Sequence, residues 1–142
     1  MRAPVGTSTQ LHRTRRSDAV EASRLRQDLD AWLHQSDVPL TQSRCADVLL
    51  GVNEALANCA EHAYHGRHGG DITIHAHYDG GHRLRVRISD RGRWRPSPAV
   101  ALNRRGRGLA LMRALSDQCT VDRRHDGTTV RLDYDLSGDT AE

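Results

Sequence analysis

The chain has 142 residues, 37% of them hydrophobic, with a formal net charge of +3, the size of one domain around one hydrophobic core. No apolar run approaches the ~18 residues of a membrane-spanning helix, and the N-terminal stretch is charged without the apolar core of a signal peptide. A cytoplasmic protein with no membrane partner is therefore expected. All 21 basic residues are Arg, so a P-loop with its lysine and Schiff-base chemistry are both excluded.

Residues 1–10 are small and polar and are expected to be disordered. The stretch 11–16 reads as a short edge strand. From about Asp18, the apolar residues Val20, Leu25, Leu29, Trp32 and Leu33 mark the stripe of a first helix, which Asp37-Val38-Pro39 ends. Thr41 is placed as the N-cap of a second helix. Its buried stripe is Cys45, Val48, Leu49, Val52, Leu56 and Cys59, and it stops near Gly66.

The period then changes from helical to alternating. Ile72, Ile74, Ala76 and Tyr78 alternate with polar residues, as do Leu84, Val86 and Ile88, and Asp79-Gly80-Gly81 links the two runs. This is a β-hairpin with one buried face. No periodicity follows between Asp90 and Gly108, a connection long enough to suggest function. A short helix from Leu109 to about Asp117 and a second hairpin turning near His125-Asp126-Gly127 complete the domain, followed by a polar tail at 137–142. The fold class expected is α+β: a two-layer α/β sandwich over residues 11–136, with a mixed, mostly antiparallel sheet covered on one face by helices.

Four groups of residues could carry chemistry. Glu54 and Asn58 are four apart and share one helix face, with Glu61 and His62 about one turn further on. An Asn oxygen and phosphate oxygens suit Mg2+, and the carboxylate could act as a general base; a solvated helix face is the alternative. Asp90, at a strand end before Gly92, could accept a hydrogen bond from an exocyclic amine, or simply open a turn. Arg104-Arg105-Gly106-Arg107-Gly108-Leu109 leads into a helix and offers N–H and guanidinium donors to anions, or is a basic loop. In Gly127-Thr128-Thr129-Val130, at the start of the last strand, a Thr hydroxyl could support Asp90 or a water beside it, or simply serve the hairpin. The three cysteines have no CxxC or metal-ligand spacing and read as small buried thiols. The histidines form no HExxH motif.

In order and spacing, these groups resemble the GHKL (Bergerat-fold) ATPases, and within them the small anti-sigma-factor serine kinases of bacteria. Residues 48–64, 84–92 and 104–134 carry the resemblance. It implies ATP and Mg2+ as cofactors. It also implies Asn58 as the magnesium ligand and Glu54 as the base that activates an acceptor serine. Asp90 would bind the adenine amino group, with Gly92 beneath the base and Thr129 beside Asp90. Arg105, Gly106, Arg107, Gly108 and Leu109 would close over the phosphates. Trp94 stands where many members of the superfamily have a second glycine.

The function implied is an ATP-dependent protein-serine kinase in a partner-switching system. It would sequester a sigma factor and phosphorylate an anti-anti-sigma antagonist, as a homodimer. The alternative is a non-catalytic ATP-binding module that only holds a partner. A protein that binds nucleic acid through Arg is disfavoured, because its charge is scattered and compensated.

Overall fold

The computed structural model describes residues 9–66, 70–91, 108–124 and 126–137, with the backbone alone for 61–66. The chain runs through β1 (Thr9–Arg16), α1 (Ala19–Gln35), α2 (Gln42–Gly66), β2 (Asp71–Tyr78) and β3 (Arg83–Asp90). A short helix α3 (108–114), β4 (Gln118–Arg124) and β5 (Gly127–Asp135) follow. The first strand begins at Thr9, inside the stretch expected to be disordered; the rest of that stretch and residues 138–142 lie outside the described residues.

The helices start where side chains can replace missing backbone partners. Asp18 caps α1, its carboxylate accepting from the Glu21 N–H at 2.8 Å. The Thr41 hydroxyl accepts from the Arg44 N–H at 3.0 Å at the start of α2. The buried stripe of α1 is Ala22, Leu25, Leu29, Trp32 and Leu33. Val20 was expected on that stripe but is 62% exposed. It lies two residues before Ala22, about 200° around the helix, and so faces water.

The sheet order is β1-β2-β3-β5-β4, and every pairing is antiparallel. The crossover after β3 sets β4 down parallel to β3, but β5 returns between them, so where a mixed sheet is expected the pairings among the described residues are all antiparallel. Alternation gives the sheet one apolar face. Ile72, Ile74, Ala76, Leu84, Val86, Ile88, Val130, Leu132 and Tyr134 are buried there, with Leu25, Leu29, Val48, Val52 and Leu56 of the helices. Arg15 ties β1 to α1 through Glu21 and Asp28, each at 3.1 Å. The opposite face carries the polar residues of each strand. Among the described residues, no helix is long and apolar enough to cross a membrane.

Candidate functional site

The buried face of β3 ends in a carboxylate. Asp90 continues the series Leu84, Val86, Ile88 and is only 7% exposed. Alternation therefore drives a charged group under the helical layer, an arrangement that requires hydrogen-bonding partners. A candidate donor comes from α2, whose Cys59 thiol stands beside Asp90. Burial, reinforced by the adjacent Asp90 charge, pushes that thiol well above its ordinary pKa, which keeps it protonated and able to donate.

Asn58 precedes Cys59 on α2, and Glu54 is one turn earlier; both are half-buried. The Asn58 side-chain nitrogen is buried and has no hydrogen-bond partner among the described residues. Gly108, the first residue of α3, closes over both side chains. A Cβ placed on it would stand 3.4 Å from Glu54 Oε1 and 3.5 Å from Asn58 Nδ2. Residues far apart in sequence thus converge: a carboxylate, an orphaned amide and a backbone with no side chain to fill the gap. An unpaired buried amide is costly unless something supplies its partner, so this donor set fits a polar ligand. A flip of the amide would present its oxygen to the same space, which suits a hard cation held partly by phosphate oxygens.

On β5, Thr128 lies directly opposite Asp90 in the β3–β5 register and is 3% exposed. Thr129, expected beside Asp90, is opposite Ser89 instead, and the two hydroxyl oxygens are 3.2 Å apart on the other face of the sheet. The physical reason is strand period: Val130, Leu132 and Tyr134 occupy the apolar face, so Thr128 shares it and Thr129 does not. Gly127 packs against β3 so closely that a Cβ on it would collide with the Asp90 carbonyl oxygen and come within 3.2 Å of the Arg91 Cα.

The other expected residues divide as follows. Leu109 is half-buried and packs against the hydrophobic core, so its side chain serves α3 packing. Gly92, Trp94, Arg105, Gly106 and Arg107 lie outside the described residues, as do the side chains of Glu61 and His62. The residues alone leave Thr128 and Thr129 both open as the hydroxyl beside Asp90, and the alternation of β5 selects Thr128. One participant escapes the sequence reading: Cys59 reads only as a core thiol, because nothing local signals Asp90, 31 residues away.

Comparison with known proteins gives these residues a context. Residues 16–134 match the family model of the histidine kinase-like ATPase domain. The chain is similar to a crystal structure of the RsbU and RsbW domains of Rv1364c from Mycobacterium tuberculosis, with a TM-score of 0.71 and 27% identity over 90% of this chain and 32% of that one. It is also similar to the histidine kinase domain of the blue-light activated histidine kinase EL346 from Erythrobacter litoralis, with a TM-score of 0.57 and 29% identity over 68% of this chain and 46% of that one. The chain spans less than half the length of each of these two structures. With the model matched over most of its length, the chain belongs to the histidine kinase-like ATPase domain family.

Proposed function

We propose that this chain is an ATP-dependent protein-serine kinase that acts as an anti-sigma factor, phosphorylating an anti-anti-sigma antagonist and sequestering a sigma factor when unopposed. The observation that carries this reading is the convergence of Glu54 and Asn58 on Gly108. Membership of an ATPase family and similarity to a chain containing an RsbW domain support it.

In this reading Asp90 accepts a hydrogen bond from the adenine amino group at the dry end of the site, with Thr128 opposite it and Gly92 beneath the base. Asn58 would hold Mg2+, which when bound offsets the charge of the ATP phosphates. Gly108 leaves room for the phosphates beside Asn58, and Arg105, Gly106 and Arg107 would close over them. Glu54 stands one helical turn from Asn58, where a carboxylate can take the proton of an incoming serine hydroxyl. The serine oxygen bonds to the γ-phosphorus as the bond to the bridging oxygen of ADP breaks, and the proton passes to Glu54. Phosphoryl transfer asks mainly for such positioning and charge neutralisation.

The test is transfer of labelled γ-phosphate to a candidate antagonist, scored as acid-stable phosphoserine. Wild type should transfer, and Glu54→Gln should lose roughly 10²–10⁴-fold in rate while still binding Mg-ATP. Acid-labile phosphate on histidine would overturn the serine assignment. ATP binding with no transfer to any antagonist would favour the non-catalytic module.

A further inference from the structure

A second cluster of chemically capable side chains sits where α1 hands over to α2. Asp30 and His34 are four residues apart in the last two turns of α1, and Cys45 lies in the first turn of α2. One ligand atom from each of the three lies within 4.8 Å of the others. We propose that Asp30, His34 and Cys45 form a zinc-type metal site, separate from the nucleotide site, that clamps the end of α1 to the start of α2.

The geometry suits one ion. His34 Nδ1 is 3.2 Å from Asp30 Oδ1. Two ligands at ordinary zinc bond lengths in tetrahedral array are about 3.3 Å apart, so this pair is already at chelating distance. A thiolate ligand belongs about 3.6 Å from each of them, which the Cys45 sulfur reaches by about 1 Å of movement. The ring nitrogen also meets the Asp30 carbonyl at 2.8 Å. That carbonyl already accepts the His34 backbone N–H within the helix, so the ring can release it without leaving it unpaired.

The donor chemistry selects the ion. A sulfur, an imidazole nitrogen and one carboxylate oxygen favour Zn2+ and its softer neighbours over Mg2+ and Ca2+, which take oxygen. Three protein ligands leave a position open. The cluster borders a cavity of about 450 Å3 lined by Leu33, His34, Asp37, Val38, Leu40 and Cys45 among others, from which water or a small ligand can complete the set. Cys45 precedes Glu54 by nine residues, about 13 Å along α2, so an ion here takes no part at Asn58. Its effect is mechanical: it cross-links two helices otherwise joined by the short connection through Val38-Pro39-Leu40 and adds stability by mass action.

The experiment is titration of the untagged, chelator-stripped chain with Zn2+ by calorimetry and with Co2+ by absorption, in excess Mg2+. The Co2+ spectrum reports sulfur ligation directly through its thiolate charge-transfer band, which the other histidines of the chain cannot produce. Wild type should bind one equivalent with that band and unfold at higher temperature with Zn2+. Loss of an outer-sphere partner alone weakens a metal site by about 10–100-fold, so Cys45→Ser and the exposed His34→Ala should each weaken Zn2+ by at least about 100-fold. Cys119→Ser should keep both the band and the affinity. Co2+ binding without a thiolate band overturns the proposal, as does unchanged Zn2+ affinity in folded Cys45→Ser and His34→Ala.

Discussion

The Cys59 thiol stands beside the Asp90 carboxylate, where α2 meets the last residue of β3. Both groups are buried, so the contact holds a charge in place beneath the helices. It predicts a hierarchy of thiol reactivity. Burial and the Asp90 charge suppress the Cys59 thiolate, whereas Cys45 and Cys119 are only half-buried. Under native conditions iodoacetamide should label Cys45 and Cys119 and leave Cys59 untouched until the protein unfolds, as mass spectrometry of timed samples would show. Cys59→Val, which removes a candidate donor beside a buried carboxylate, should cost about 1–2 kcal/mol and weaken ATP binding, while Cys59→Ser should retain more of both.

Gly108 offers a way to separate stability from function. A methyl group there meets Glu54 and Asn58 at ordinary contact distances, 3.4 and 3.5 Å, so the fold can accept it. Gly108→Ala should therefore be about as stable as wild type in urea. The same methyl fills the space between the two polar side chains, and Mg-ATP affinity should fall. Equal affinity in the two proteins would show that the ligand does not enter between Glu54 and Asn58.

Asn58 should show a similar split for a different reason. Its buried amide nitrogen has no partner among the described residues, a state costing roughly 1–3 kcal/mol. Asn58→Ala removes that penalty and leaves a small void, so its net effect on the ligand-free protein should be within about 1 kcal/mol. Its ATP affinity should no longer depend on Mg2+. Titrations with and without Mg2+, beside thermal unfolding of both proteins, measure the two effects together.

These residues also show where sequence reading succeeds. Alternation at Ile72, Ile74 and Ala76, and the cap at Thr41, are local signals, and each marked its element correctly. Val20 was misplaced because a single apolar residue two positions off the stripe of α1 still counts towards an apolar total. The resemblance points to Thr129, although the phase of Val130, Leu132 and Tyr134 puts Thr128 on the side of Asp90. The meeting of Cys59 with Asp90 and the approach of Gly108 to Glu54 and Asn58 are tertiary contacts. No local pattern encodes them; the order of the groups along the chain hints only that Gly108 meets Glu54 and Asn58.

Asp79 makes stability at acid pH predictable in sign. Partial burial raises its pKa, but hydrogen bonds from the Arg83 and Gly81 N–H groups outweigh burial, and the net shift is downward. A carboxylate whose folded pKa lies below its unfolded value of about 3.9 stabilises the fold fully above that value. The contribution disappears as pH falls through the folded pKa. The stability gap between wild type and Asp79→Asn should therefore be constant near neutrality and shrink below about pH 4, which urea unfolding at a series of pH values would reveal.

Gly127 should be among the least tolerant positions in the chain. A Cβ there collides with the Asp90 carbonyl oxygen and crowds the Arg91 Cα at 3.2 Å. Both obstacles are backbone, so no side-chain rotation relieves them, and β3 or β5 must shift. Overpacking of this kind costs about 3 kcal/mol or more. The shift falls on the residues that hold Asp90 opposite Thr128, so ATP affinity should drop together with stability in Gly127→Ala. Thr129→Val, on the other face and bonded only to Ser89 among the described residues, should leave ATP affinity unchanged and serves as the neighbouring control. If Thr129→Val weakened ATP as much as Thr128→Val, the assignment of Thr128 to the Asp90 side of the sheet would fail.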